Sequence, residues 1–125
     1  MVDLVSFLEQ PGIVIIDTLT NTIAATLSDI SSPVGIAFDS YGTKAYVASS
    51  TSPGTLFVVN AQTLDIVSRV TVGFQPVDVN ITPGGRWIFV THTGSDYVAV
   101  VDADTNTVVD QITVGRGALG FTLVH

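Results

Sequence analysis

Few side chains in this sequence have chemistry available near neutral pH, and they fall in a narrow set of segments. His92 is the single imidazole ahead of the C-terminal His125, and it could act as a base or ligate a metal. Asp96 and Arg116 could orient an anionic or polar ligand, Gln75 could hydrogen-bond one, and Phe74 could offer a stacking platform. Asp78, with Asn80 two residues on, could hold an ion or a water. Each has a plainer reading. His92 fits a strand-end histidine bonded to its neighbours, Asp96 and Arg116 fit solvated surface charges, and Phe74 fits a packing wedge. A catalytic centre needs acids, imidazoles or metal ligands that converge on one place. The chain offers His92, Asp96, Glu9 and Asp78, a thin set, and it has no Cys to supply a thiolate or a soft ligand. The expectation is therefore ligand-binding candidates at His92, Gln75, Asp96, Arg116, Phe74 and Asp78, with no catalytic residue, no metal and no cofactor.

These residues are placed by a repeat. Ile13-Val14-Ile15-Ile16-Asp17, Leu56-Phe57-Val58-Val59-Asn60 and Val98-Ala99-Val100-Val101-Asp102 align, with spacings of 43 residues from Asp17 to Asn60 and 42 from Asn60 to Asp102. Pro33 then falls on Pro76, and Tyr46-Val47 on Phe89-Val90. The length difference is confined to the loop Ser50–Gly54, one residue longer than Thr93–Asp96. The position of His92 holds Ser49 and Ser6 in the other copies, so the repeat builds no ring of imidazoles.

Every segment reads as a short strand bounded by Gly, Pro and Asx turns, and none has a helical apolar period. Strand a is expected at Pro33–Phe38, Pro76–Ile81 and Ala118–Val124; strand b at Leu4–Ser6, Lys44–Ala48 and Arg86–Thr91. Strand c is expected at Ile13–Ile16, Leu56–Val59 and Tyr97–Val101; strand d at Thr22–Leu27, Ile66–Val72 and Thr107–Val114. Asp17 and Asp102 are read as turn formers between c and d, whereas Asn60 with Leu64-Asp65 predicts a looser turn in the middle copy. Four antiparallel strands every forty-odd residues is the pattern of a β-propeller blade. The fold class is all-β, with strands in the order b-c-d, a-b-c-d, a-b-c-d, a. Residues 1–125 form one partial-ring domain, with repeats near 1–32, 33–75 and 76–117 and a final strand at 118–125.

Composition agrees. The chain is 46% hydrophobic and 12% charged with a mean hydropathy of +0.54, yet its apolar runs have strand length and none spans a membrane as a helix. Four basic residues against eleven acidic ones leave no phosphate-tracking stripe, so nucleic acid is excluded as a partner. The first residues carry no basic region and no long apolar core, so no signal peptide is read in this stretch.

The blades resemble the YVTN repeat family. Ala45-Tyr46-Val47-Ala48-Ser49-Ser50 and Ile88-Phe89-Val90-Thr91-His92-Thr93 occupy its strand-b motif. Its turn signature matches Ile15-Ile16-Asp17-Thr18-Leu19-Thr20-Asn21-Thr22-Ile23 and Val100-Val101-Asp102-Ala103-Asp104-Thr105-Asn106-Thr107-Val108. The resemblance implies a bacterial or archaeal propeller, commonly extracytoplasmic or surface-exposed, and no single activity.

Three blades' worth of strands fall short of the roughly four to eight that close a ring. The expectation is a homodimer closing a six-bladed ring, with Ala118–Val124 of one chain pairing with Leu4–Ser6 of the other; the alternative is a fragment of a longer propeller. Strand parity sends the d–a and b–c loops to one face, where a protein or a small polar ligand would bind. The functional expectation is a non-enzymatic binding scaffold. Its rival is a lactonase-like hydrolase or a quinoprotein-like enzyme with its site on that same face.

Overall fold

A computed structural model of the chain describes residues 2–6, 13–17, 20–27, 30, 32–39, 42–51 and 53–114. Among them are eleven strands and no helix. The first sheet holds β1 (Val2–Ser6), β2 (Ile13–Asp17) and β3 (Thr22–Leu27). The second holds β4 (Pro33–Phe38), β5 (Lys44–Ser49), β6 (Thr55–Asn60) and β7 (Ile66–Thr71). The third holds β8 (Pro76–Ile81), β9 (Trp87–His92), β10 (Tyr97–Asp102) and β11 (Thr107–Thr113). Each sheet is a meander in chain order with antiparallel neighbours, which is the blade architecture. The expected final strand, Ala118–Val124, lies outside the described residues.

Two apolar layers hold the blades together. One face of the second blade (Tyr46, Ala48, Leu56, Val58, Val70, Val72) packs on Val79, Ile88, Val90, Ala99 and Val101 of the third. Its other face carries Ala45, Val47, Phe57 and Val59 around the fully buried Ile30. Alternate residues of one strand thus enter opposite layers, as a two-residue period requires. Blades come closest at their inner strands, where a Cβ at Gly35 would stand 3.1 Å from the Asp78 Cα, a tight contact that asks the neighbouring backbone to give by a few tenths of an ångström.

The turns follow the repeat more closely than the sequence indicates. Asn21, Leu64 and Asn106 occupy one repeat position, and all three have left-handed backbone, with φ of 55°, 67° and 53°. The c–d turn of the middle copy, expected to be looser, is closed like its neighbour. The Asn60 Oδ1 accepts the amides of Gln62 (2.8 Å) and Thr63 (3.0 Å), and the Asp102 Oδ1 accepts that of Asp104 (2.9 Å). Leu64 keeps an apolar side chain in this strained position, where it packs on the layer containing Phe57 and Val59. The register shifts at one repeat position beside the turn, between Ile15 and Ile16 in β2–β3, Val58 and Val59 in β6–β7, and Val100 and Val101 in β10–β11.

Candidate functional site

The d–a and b–c loops do meet, through backbone hydrogen bonds that recur from blade to blade. Ser50 donates to the Ser32 carbonyl at 2.9 Å, and Thr93 makes the same bond to Gln75 at 2.9 Å. Gly54 donates to Gly73 (3.0 Å) and Gly94 to Phe74 (3.2 Å), so residues 73–75 and 92–96 form one surface. At the other end of the blades the a–b and c–d turns pair instead, with Ala61 donating to Thr43 and Ala103 to Arg86.

His92 is not a loop residue. It is the last residue of β9 and only 1% exposed. Its Nε2 accepts the Gly73 amide at 2.9 Å, which leaves Nδ1 as the protonated nitrogen, donating to the Tyr97 carbonyl at 3.0 Å. Burial holds its pKa below the ordinary histidine value, against a smaller upward pull from the Tyr97 carbonyl. The ring is therefore neutral, and both nitrogens are engaged within the chain. The Tyr97 ring lies beside it at 5.2 Å, and Ser95 Oγ accepts the Phe74 amide at 2.9 Å.

Around this buried bridge the loops offer different chemistry. Phe74 is 52% exposed, and Gln75 is exposed with a left-handed backbone (φ 52°). Thr93 Oγ1 lies 3.4 Å from the Gln75 carbonyl. Asp96 is exposed beside them, its carbonyl accepting the Val114 amide at 2.8 Å. The structure thus brings His92, Phe74, Gln75 and Asp96 to one face. Asp78 stands apart on β8, half-buried and paired in register with Thr91, with its Oδ1 accepting the Val79 amide at 2.9 Å. Arg116 lies outside the described residues.

Gly73 and Ser95 fall in the loops expected on this face but carry no role of their own in the sequence, and Tyr97 is expected only as a strand residue. They surround His92, and a Cβ on Gly73 would fall 2.7 Å from Ser95 Oγ and 2.8 Å from the Tyr97 hydroxyl. The available signal was a glycine inside the d–a loop, with no marker of its partner nineteen residues away. A second unforeseen cluster lies at the opposite end. Arg86 grips Asp102 with two hydrogen bonds (3.1 and 3.3 Å), reaches Asp104 at 3.4 Å and covers the Trp87 ring at 4.7 Å. The Asp104 amide and then the Arg86 guanidinium hold the Asp102 carboxyl below its usual range. This arrangement secures a turn and leaves neither partner free to act. Among the described residues no three His, Asp or Glu side chains are grouped so as to hold a metal ion.

No family model matches the chain. A 46-residue stretch is 48% identical to the PE-PGRS family protein PE_PGRS18 of Mycobacterium tuberculosis, covering 37% of this chain and 10% of that protein. Among solved structures, hydrazine synthase of Kuenenia stuttgartiensis superposes with a TM-score of 0.87 at 21% identity, over 93% of this chain and 34% of that one. Sqt1 of Saccharomyces cerevisiae superposes at 0.81 with 11% identity, over 100% of this chain and 37% of that one. A structure titled the Dos1 propeller superposes at 0.69 with 10% identity, over 93% of this chain and 35% of that one. At such identities the likeness establishes the fold, a β-propeller, and nothing finer. The chain spans a tenth of the curated relative it matches and little more than a third of these structures.

Proposed function

We propose that this chain is a non-enzymatic, YVTN-type propeller scaffold, completed to a ring by a second copy, that recognises a polar or protein ligand on the face formed by residues 73–75 and 92–96. The observation that carries the reading is the state of His92. The one imidazole among the described residues is buried and neutral, with both nitrogens committed to Gly73 and Tyr97. It holds two blades together and has no lone pair to give a substrate or a metal. What the face presents outward is Phe74, Gln75, Thr93 and Asp96: an apolar ring, an amide, a hydroxyl and a carboxylate on rigid turns. That set supports binding by stacking and hydrogen bonding. It lacks the paired acid and base that hydrolysis of a lactone would require. The family assignment is supported by the strand-b and turn motifs of the repeat, and the solved propellers supply the fold alone.

The test is nuclear magnetic resonance of the labelled chain against a library of small polar fragments and short acidic or basic peptides. Shift changes are expected to cluster on residues 73–75 and 92–96 and to weaken in Phe74→Ala. Changes confined to residues 82–85 and 102–106 would place recognition at the opposite end. Turnover of a chromogenic lactone that disappears in His92→Gln would overturn the non-enzymatic reading.

A further inference from the structure

At the joint of the second and third blades, residues 73–75 are held mostly by groups that do not titrate. The Gly54 amide donates to the Gly73 carbonyl (3.0 Å), the Gly94 amide to the Phe74 carbonyl (3.2 Å) and the Thr93 amide to the Gln75 carbonyl (2.9 Å). The Phe74 amide donates to the Ser95 hydroxyl at 2.9 Å. Amides, carbonyls and hydroxyls keep their protons across the physiological pH range. The remaining bond is different, because the Gly73 amide donates to an imidazole nitrogen, His92 Nε2, at 2.9 Å. At the joint of the first and second blades the corresponding positions hold Ile30 and Ser49, both fully buried and neither titrating in that range.

Nothing around His92 favours a second proton. It faces the Gly73 amide from the d–a loop, with the Ser95 hydroxyl and the Tyr97 phenol close to the same glycine. On β10 it meets the Tyr97 carbonyl at 3.0 Å and the Tyr97 ring at 5.2 Å, and on β8 it is paired in register with Pro76. The charged residues of those elements are Asp78, paired with Thr91, and the exposed Asp96 just ahead of β10. Neither offsets the burial of the ring. Burial sets the direction of its pKa, downward, and the Tyr97 carbonyl opposes it by less. A proton on Nε2 would set N–H against the Gly73 N–H. A flip of the ring gives no escape, since an imidazolium carries a proton on both nitrogens.

We infer that His92 is an acid-operated latch: its protonation detaches residues 73–75 from the third blade, so the surface they form with residues 92–96 exists only while the imidazole is neutral. The inference rests on the reading of that surface as the recognition site, and adds its regulation. Ligand is held at neutral pH and released in mild acid. The release is local because little else fastens the segment. It lies between the end of β7 at Thr71 and the start of β8 at Pro76, Phe74 is 52% exposed, and the left-handed Gln75 is relieved of strain when freed. The blades themselves stay joined by the apolar layer of Leu56, Val58, Val79, Val90 and Ala99. Opening exposes the ring and returns it to the ordinary value of 6.5. Below that value acid favours the open form by up to about tenfold per pH unit, until the lower latched-state pKa is reached.

The test is amide hydrogen exchange of the 125-residue chain, followed by nuclear magnetic resonance in steps from pH 7.5 to 5.0, with protection taken relative to the unstructured rate at each pH. It needs no ligand. The Gly73 amide is expected to be less protected than that of Val90, a fully buried residue of the interior strand β9, at every pH. That difference marks a release short of global unfolding. Gly73 is also expected to lose about tenfold in protection on acidification. In His92→Gln, whose amide oxygen accepts the Gly73 bond without titrating, Gly73 protection should be the same at both ends of the series. Should that variant fail to fold, the nitrogen shift of His92 Nε2 in wild type replaces it, since its protonation and the loss of Gly73 protection must share one midpoint. Gly73 protection equal to that of Val90, or unchanged by acid, overturns the latch, while ligand-induced shifts at neutral pH still support recognition. Ligand-induced shifts absent from residues 73–75 at pH 7.5 overturn the recognition reading and the regulation drawn from it, while an acid-released loop still stands.

Discussion

The backbone amide of Gly73 donates to Nε2 of His92 across 2.9 Å, tying the turn that leaves the second blade to the last residue of β9 in the third. Because Nδ1 of the same ring donates to the Tyr97 carbonyl at 3.0 Å, one side chain links the turn at Gly73, nineteen residues away, to the start of β10. Removing it leaves the Gly73 amide and the Tyr97 carbonyl unpaired and opens a cavity in a buried joint. His92→Ala is expected to cost about 2–4 kcal/mol. His92→Gln, whose amide can both accept and donate, should recover part of that. Urea denaturation of the two variants measures the difference.

The same geometry sets a pH dependence. Burial lowers the folded-state pKa of His92 below its reference value of 6.5, so the unfolded chain binds the proton more readily. The stability contributed by neutral His92 is complete above that reference value and is lost progressively as pH falls through the lower folded-state pKa. Protonation sets a ring N–H against the Gly73 N–H, donor against donor. Asp39 behaves alike at lower pH. Burial opposes ionisation there, but hydrogen bonds from Thr43, Lys44 and Gly42 outweigh it and keep the pKa below 3.8. Denaturation midpoints measured from pH 7.5 to 4.5 should fall for wild type and stay flatter for His92→Gln. Parallel curves would show that His92 does not carry the effect.

Gly54 gives a steric prediction. Its amide donates to the Gly73 carbonyl and its own carbonyl accepts the Val72 amide at 2.9 Å, so the residue is fixed on both sides. A Cβ there would lie 2.5 Å from Pro76 Cδ and 2.6 Å from the Gly73 oxygen, a rigid ring and a backbone atom. Neither can swing away. Gly54→Ala should therefore cost about 1–3 kcal/mol and lower the thermal midpoint by several degrees. A midpoint within one degree of wild type would show that the loop absorbs the methyl by moving as a unit.

The strands were legible in the sequence because each obeys a two-residue alternation between punctuating Gly, Pro and Asx residues, and because the copies align without internal gaps. Shifts at strand ends were small but consequential. Strand b of the third blade begins at Trp87 and ends at His92, which takes His92 out of the loop and into a buried joint. The partners of His92 were not legible, since a repeat period fixes which strand a residue occupies and not which amide from the neighbouring blade its ring will meet. Arg86 and Asp102, sixteen residues apart, were hidden for the same reason. Leu64 misled in another way. Its type argued against a left-handed turn, yet the layer around Phe57 and Val59 gives it enough contact to hold that conformation.

Gln75 separates backbone strain from ligand chemistry at one position. It has φ of 52°, its equivalent Ser32 has 48°, and the third copy carries Gly117 at this place. A left-handed residue with a Cβ is strained by roughly 1 kcal/mol, and glycine relieves this at some cost in unfolded-state entropy. The Gln75 side chain is exposed, and its one described bond, from Thr93 Oγ1 at 3.5 Å, is at the outer limit of a hydrogen bond. Little is lost with it. Gln75→Gly is therefore expected to stabilise the chain by about 0.5 kcal/mol, seen as a higher urea midpoint at unchanged slope. If the loop face binds ligand as proposed, the same variant should weaken binding while it strengthens the fold. A Gln75→Gly protein that is less stable than wild type would mean that the Thr93 contact outweighs the backbone strain.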